Sequence, residues 1–164
     1  MASVSRLVQA ELGRFDWSNL RCGCGNTAGH MPETFKQIAV AESPSDMRGY
    51  SLGGHLELET NLFEAAVPAV DVLLAALAGP LSDFARDQFI ATLWYIVSGD
   101  SHRSEIERGR SRLGDECRLR ARSGVWVILH YAVNRRDETA LEILESIDLD
   151  DERLNYYKSN VVNR

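Results

Sequence analysis

The feature that most constrains the fold is a long apolar stretch over residues 60–99. Its first half carries only two charged side chains, Glu64 and Asp71, and this composition predicts a helix that is buried on nearly all sides. Gly79 and Pro80 then predict a helix end, because glycine closes helices and proline cannot continue them. The second half repeats apolar side chains at helical spacing. The stretch therefore predicts two antiparallel helices joined by a short turn.

Pro68 leaves the start of the first of these helices open. Asn61 is a suitable cap for a helix that begins beside it, and such a helix would bend at Pro68. Alternatively, residues 62–67 form a separate turn and Pro68 lies in the first turn of the helix, where its missing N–H costs nothing. Both alternatives keep the apolar residues that follow in the core.

Length, charge and cysteine content narrow the class of protein. A chain of 164 residues is large enough for one core, so residues 1–164 are predicted to form a single domain. The net charge of −6 disfavours general binding to nucleic acids or anionic membranes and favours a basic partner. The first residues lack the apolar core of a secretory signal, and three cysteines suit a reducing compartment, so we expect a cytoplasmic protein.

The remaining segments also have helical periodicity, and none has the sustained alternation of a β-strand. An all-α fold is therefore predicted. The helices pair into hairpins over residues 33–59, 62–99, 104–133 and 138–162. Their lengths are close to those of helical repeats, which favours a short HEAT-like α-solenoid of antiparallel helix hairpins. An irregular helical bundle is the alternative.

Cysteine and histidine residues are the candidate zinc ligands of this sequence. Cys22 and Cys24 lie in a glycine-rich loop, His30 follows six residues later, and Cys117 is distant in the sequence. Structural zinc sites usually have a C-x-x-C pair and a second ligand pair at matching spacing, and this sequence has neither. We therefore expect the two neighbouring cysteines to be loop thiols, with no metal and no cofactor.

Catalytic motifs do not stand out either. His55 and His130 lie in segments with helical periodicity, where a packed or hydrogen-bonded histidine is more common than a catalytic base. The sequence has no nucleophile elbow, phosphate-binding glycine loop or HExxH pair. The prediction is a protein without enzymatic activity, and a small helical enzyme is the least favoured alternative.

Two motifs resemble a group of bacterial HEAT-like proteins. The first is DWSNL at residues 16–20 followed by a small-residue run and Met31-Pro32, and the second is HLELETNLFEAAVPAV at residues 55–70. They are similar to D-W-S-x-L with V-P, and to H-x-G-T-x-Y-x-A-T-x-x-A-V-P-x-L, although the glycine is missing and Phe63 replaces the tyrosine. The resemblance covers residues 12–100. It implies an immunity protein that binds and neutralises a bacterial toxin, and it supplies no catalytic residues.

The acidic C-terminal region supplies the predicted partner-binding residues. Residues 137–152 contain eight acids and no base, which suits a basic partner such as a nuclease toxin. The residues predicted to contact the partner are Asp148, Asp150, Asp151, Glu152 and Tyr156. Two alternatives stay open: these acids only cap the last helix, or the protein is a HEAT-like scaffold or adaptor without a toxin partner.

Overall fold

The computed structural model describes residues 3–162 and is mostly helical. Its α-helices are α1 Arg6–Gly13, α2 Met31–Ala39, α3 Ala66–Leu77, α4 Asp83–Val97, α5 Arg103–Glu107, α6 Leu113–Ala121, α7 Val125–Asn134, α8 Glu138–Ile147 and α9 Asp151–Tyr157. Three two-residue strands, β1 Glu57–Leu58, β2 Asn61–Leu62 and β3 Asp100–Ser101, form a small sheet in the order β1-β2-β3. The all-α prediction is therefore confirmed in its helical content, whereas the sheet was not predicted.

Helix α3 lies at the centre of the fold and contacts α1, α4 and α6. Every residue of α3 except Asp71 is buried, which agrees with its nearly uncharged sequence. The carboxylate of Asp71 pairs with Arg120 on α6. The turn before α7 lies directly against α3, because a Cβ atom added at Gly124 would be 2.8 Å from Cδ1 of Leu74 and nearer still to its Cδ2.

The predicted pair of helices over residues 62–99 is present as α3 and α4, with a later start. Leu62 belongs to β2, and α3 begins at Ala66, so Pro68 lies in its first turn. This is the second of the two alternatives for Pro68. The side chain of Asn61 bonds the carbonyls of Leu58 and Glu59 in the preceding turn and does not cap the helix.

The second helix of the hairpin predicted over residues 33–59, expected from about residue 46, does not form. The capping box between Ser43 and Asp46 is present, but it starts only a short 3₁₀ helix, Pro44–Met47. The chain then takes positive φ angles at Gly49, Gly54, Glu59 and Thr60, of 86°, 80°, 49° and 67°, and these conformations end helical structure. The hairpin predicted over residues 33–59 consequently has only its first helix, α2.

The hairpin predicted over residues 104–133 does not consist of two continuous helices. It is divided into α5, α6, a 3₁₀ helix over Arg122–Gly124, and α7. The first break occurs at Gly109, which has a φ of 82°, and the N–H of Arg110 turns back to the carbonyl of Glu105 at 2.8 Å. Glu105 itself is fully buried. The burial of Glu105 in the folded chain overrides the local preference for a continuous helix.

The last two helices begin where the sequence predicts. Asp137 caps α8 by accepting a hydrogen bond from the N–H of Ala140, and Asp150 caps α9 by accepting one from Arg153. Helix α9 continues into a π-helical turn over Lys158–Val162. Within residues 3–162, no helix combines the length and apolar character needed to cross a membrane.

Candidate functional site

Two of the predicted contact acids hold the turn between α8 and α9 in place. The side chain of Asp148 is only 4% exposed and accepts hydrogen bonds from the Arg153 guanidinium at 2.8 and 3.3 Å. It also accepts the N–H of Asp150 at 3.0 Å. Asp150 in turn caps α9. These two carboxylates therefore stabilise the turn through hydrogen bonds. The alternative role, capping of the last helix, is observed for Asp150.

Arg153 connects this turn to helix α7. Its guanidinium lies 5.0 Å above the centre of the Trp126 ring, which is a cation–π contact. Arg122, which precedes α7, donates to the carbonyl of Ile147 at 2.9 Å. The end of α8, the start of α9 and the exposed side of α7 are thus fixed relative to each other.

The other predicted contact residues, Asp151, Glu152 and Tyr156, are exposed on the first turns of α9. Glu152 and Tyr156 are four residues apart and share one side of the helix. Two large apolar side chains are exposed near this helix: Leu149, at 76%, precedes it, and Trp126, at 65%, contacts it through Arg153. We call this set, Trp126, Leu149, Asp151, Glu152 and Tyr156, the acidic turn surface.

A shallow concavity of about 540 Å³ is lined by Leu149, Asp151 and Glu152 of the acidic turn surface. Its wall combines Val125, Leu149 and Arg153 with the acids of the turn. Exposed carboxylates beside exposed apolar side chains can bind a partner through charge and apolar contact together. Two basic side chains, Arg122 and Arg153, line the concavity, and both are already engaged: Arg153 by Asp148 and the Trp126 ring, and Arg122 by the Ile147 carbonyl.

A second cluster brings together four side chains that can ligate a metal: Cys22, Cys24, His30 and His55. One ligand atom of each lies within 4.8 Å of the others. The Sγ atom of Cys22 is 3.3 Å from that of Cys24, 3.2 Å from Nδ1 of His55 and 3.8 Å from Nε2 of His30. The two imidazole nitrogens are 3.0 Å apart.

The backbone around Cys22 forms a tight hairpin that presents both thiols. Arg21 pairs with Thr27 in an antiparallel bridge, and the N–H of Cys22 donates to Asn26. Gly25, with a φ of 85°, makes the reversal, as glycine does most easily. This hairpin is followed by a 3₁₀ helix, Ala28–His30, which carries the first imidazole next to the thiols.

His55 reaches the same place from a second loop. The N–H of Gly23 donates to the His55 carbonyl at 2.8 Å, and a Cβ atom at Gly23 would lie 2.6 Å from the carbonyl oxygen of Gly54. The two loops can approach this closely only because the residue between the cysteines is glycine. His55 therefore lies in a turn, and the prediction that it belongs to a helix is wrong.

The four ligand side chains differ in exposure. Cys22 is buried and His55 is half-buried, whereas Cys24 and His30 are exposed. Burial raises the pKa of the Cys22 thiol to about 11. Burial also lowers the pKa of His55, and the neighbouring His30 lowers it further, which favours the neutral imidazole that a metal ion binds.

The structure separates the other candidates from this cluster. Cys117 is buried in the core on α6, where burial raises the pKa of its thiol to about 12. His130 is exposed on α7, contacts the Tyr131 ring and hydrogen-bonds Asn134, as expected of a hydrogen-bonded histidine. The sequence signal for His55 was the preceding Gly53-Gly54 pair, which favours a turn over the predicted helix.

An ion-pair network lies next to the cysteine hairpin. The guanidinium of Arg21 binds both oxygens of the buried Glu105 carboxylate, at 2.8 and 2.6 Å. It also approaches Glu64 at 3.3 Å, and Glu64 is paired with Arg110 at 3.1 Å. The hydrogen bonds that Arg21 donates to Glu105 raise the pKa of Arg21. These contacts join the hairpin to α5 and to Glu64, just before α3, so their role is structural.

Comparison with protein-family models, with curated proteins and with solved structures gives no match in any of the three.

Proposed function

We propose that this chain is a cytoplasmic, non-enzymatic protein of the immunity type, which neutralises a bacterial toxin by covering it. The observation that carries the proposal is the acidic turn surface, where Leu149 and Trp126 are exposed beside uncompensated acids. Large exposed apolar side chains rimmed by charges mark protein interaction sites. The motifs at residues 16–32 and 55–70, which resemble those of toxin-neutralising HEAT-like proteins, add independent support.

The charge of the surface supports a basic partner. Among the ion pairs of residues 3–162, none involves Asp151 or Glu152, so these carboxylates are available to another protein. The whole chain, with a net charge of −6, is negative like this surface. Complementary charge accelerates encounter with a basic toxin domain, and the apolar side chains at the centre then slow its dissociation.

The packing of the helices supports a HEAT-like scaffold beneath this surface. The pairs α3–α4 and α7–α8 each consist of helices in contact, and α4 packs against α8, as neighbouring pairs do in a solenoid. The further contacts of α3 with α1 and α6 resemble those of the irregular bundle. We propose a short and irregular HEAT-like stack whose last pair presents the acidic turn surface.

The test is co-expression with the product of the adjacent open reading frame in the native host. We expect that product to be toxic alone and harmless when the full chain is present. Leu149→Asp and Glu152→Arg should each remove protection and weaken binding of the purified proteins by at least about tenfold, as expected for a contact worth more than about 1.4 kcal/mol.

Glu142→Arg is the matched control, because Glu142 is an exposed acid on α8 outside the acidic turn surface. It makes the same change in net charge and should keep full protection. A toxic neighbour that the wild-type chain does not neutralise would refute the proposed function. Equal effects of Glu142→Arg and Glu152→Arg would show that only net charge matters and would refute the proposed surface.

A further inference from the structure

We propose that Cys22, Cys24, His30 and His55 form a four-coordinate Zn²⁺ site. The ion would link the loop that contains His55 to the hairpin that contains the two cysteines. The proposal is independent of the proposed function. It rests on the positions of four side chains from two separate segments, which the fold brings to one point.

The distances between the ligand atoms match those of a tetrahedral zinc site. With Zn–S bonds of about 2.3 Å and Zn–N bonds of about 2.0–2.1 Å, a regular tetrahedron has edges of about 3.8 Å between sulfurs, 3.3 Å between nitrogens and 3.6 Å between sulfur and nitrogen. The corresponding distances here are 3.3 Å, 3.0 Å, and 3.2 and 3.8 Å. The two distances from Cys24 to the imidazole nitrogens are at most 4.8 Å, so side-chain shifts of about 1 Å are sufficient to place all four ligands around one ion.

The chemistry of the ligands selects the metal. Two thiolates and two neutral imidazoles form a set that suits zinc, whereas magnesium and calcium prefer oxygen. Binding of Zn²⁺ displaces the two thiol protons to solvent, and the two thiolate charges then balance the charge of the ion.

Four protein ligands leave no open coordination position, which is the arrangement of structural zinc rather than catalytic zinc. The ion would cross-link residues 22–30 to residue 55. Between α2 and α3, the chain has only a short 3₁₀ helix and two-residue strands, so this region gains most from a cross-link. Because Cys24 and His30 are exposed, the ion can enter without unfolding of the core.

The site is tested with Co²⁺ and Zn²⁺ on the reduced full-length chain. Co²⁺ should produce the visible absorption of a tetrahedral complex together with a thiolate-to-cobalt charge-transfer band, and equimolar Zn²⁺ should abolish both. Elemental analysis should give one zinc per chain. Zinc at a thousandfold excess over its Kd should raise Tm by roughly 8–16 °C.

Two variants of exposed ligands assign the site without disturbing the core. Cys24→Ser and His30→Ala should each weaken zinc binding by more than about 100-fold, since even the loss of a group behind a ligand costs about 10- to 100-fold. His130→Ala is the matched control, because His130 is also exposed and lies outside the cluster. It should leave zinc affinity and the cobalt spectrum unchanged.

Three results would overturn the assignment. The first is a wild-type chain that gives an octahedral cobalt spectrum or binds no stoichiometric zinc. The second is undiminished zinc binding in either ligand variant. The third is a Cys22–Cys24 disulfide that forms in air even with zinc in excess, because bound thiolates are protected from oxidation. The cobalt spectrum of the wild-type chain decides the question even where a variant fails to fold, as judged by circular dichroism.

Discussion

Gly124→Ala tests how closely the turn before α7 packs against the central helix α3. The added Cβ atom would lie 2.8 Å from Cδ1 and 3.0 Å from Cγ of Leu74, and closer still to Cδ2. Carbon atoms at van der Waals contact are about 3.5–4.0 Å apart, so the leucine has to move. Leu74 is only 7% exposed, and the movement displaces the side chains packed around it.

Two opposing effects determine the size of the change. Overpacking of a dense core costs about 1–3 kcal/mol. Alanine in place of glycine recovers about 0.4–1 kcal/mol, because it restricts the unfolded chain and the φ of −104° at Gly124 suits alanine. The clash is larger, and a net loss of about 1–2 kcal/mol is expected. For a chain of this length the corresponding fall in Tm is about 2–8 °C.

Urea unfolding and thermal unfolding followed by circular dichroism measure this loss. Gly13→Ala is the matched control, because a Cβ at Gly13 meets nothing within 4 Å, and it should be neutral or slightly stabilising. In the double variant Leu74→Ala/Gly124→Ala the new methyl group occupies space that the leucine vacates. Its free energy of unfolding should exceed the additive sum by about 1–2 kcal/mol. Additive losses, or equal effects of the two glycine replacements, would refute the packing argument.

Three further predictions concern polar groups. Glu105→Gln should lower the free energy of unfolding by about 2–3 kcal/mol. This is less than for a fully buried ion pair, because the side chain of Arg21 is 35% exposed. An unchanged midpoint in urea unfolding would contradict the prediction. Tyr131→Phe should cost about 1–2 kcal/mol at pH 7, since the hydroxyl donates to the last carbonyl of α3 at 2.7 Å. Burial raises the pKa of Tyr131, so the native state holds its proton longer than the unfolded state and this advantage should diminish as pH rises above about 10. Hydrogen bonds from Arg118 lower the pKa of Asp115, so this carboxylate should stabilise the fold above about pH 4 and lose that effect as pH falls further. Asp115→Asn should therefore reduce the fall in the free energy of unfolding between pH 6 and pH 2.

Local signals predicted the elements whose conformation depends on neighbouring residues. The apolar composition of α3 and the aspartates at 137 and 150 required no knowledge of distant contacts. The positive φ angles of Glu59 and Thr60 could not be predicted, because neither residue favours that conformation. The carboxylate of Glu57 accepts the N–H of Thr60 in this turn, and such a contact exists only after folding.

In both candidate sites, some residues are neighbours in the sequence and could be predicted together, whereas others meet only in the folded chain. The acids of residues 148–152 form a local cluster, and the structure places them together on one turn. The contribution of Trp126 to that surface depends on contact between α7 and α9, which the sequence does not encode as a pattern. In the cysteine cluster, Cys22 and Cys24 are neighbours, but His55 joins them only through a loop contact across more than thirty residues.

The pairing of β2 with β3 has a kinetic consequence. These strands flank the α3–α4 pair and are parallel, so the chain leaves the sheet at Leu62 and returns beside it at Asp100. Closing a loop of this length is entropically costly until the enclosed helices have packed. The N–H of Asp100 donates to Thr60 and that of His102 donates to Leu62. Deuterium uptake at these two amides should therefore report whether the enclosed helices have docked. The amides should become protected late in folding and lose that protection early in unfolding.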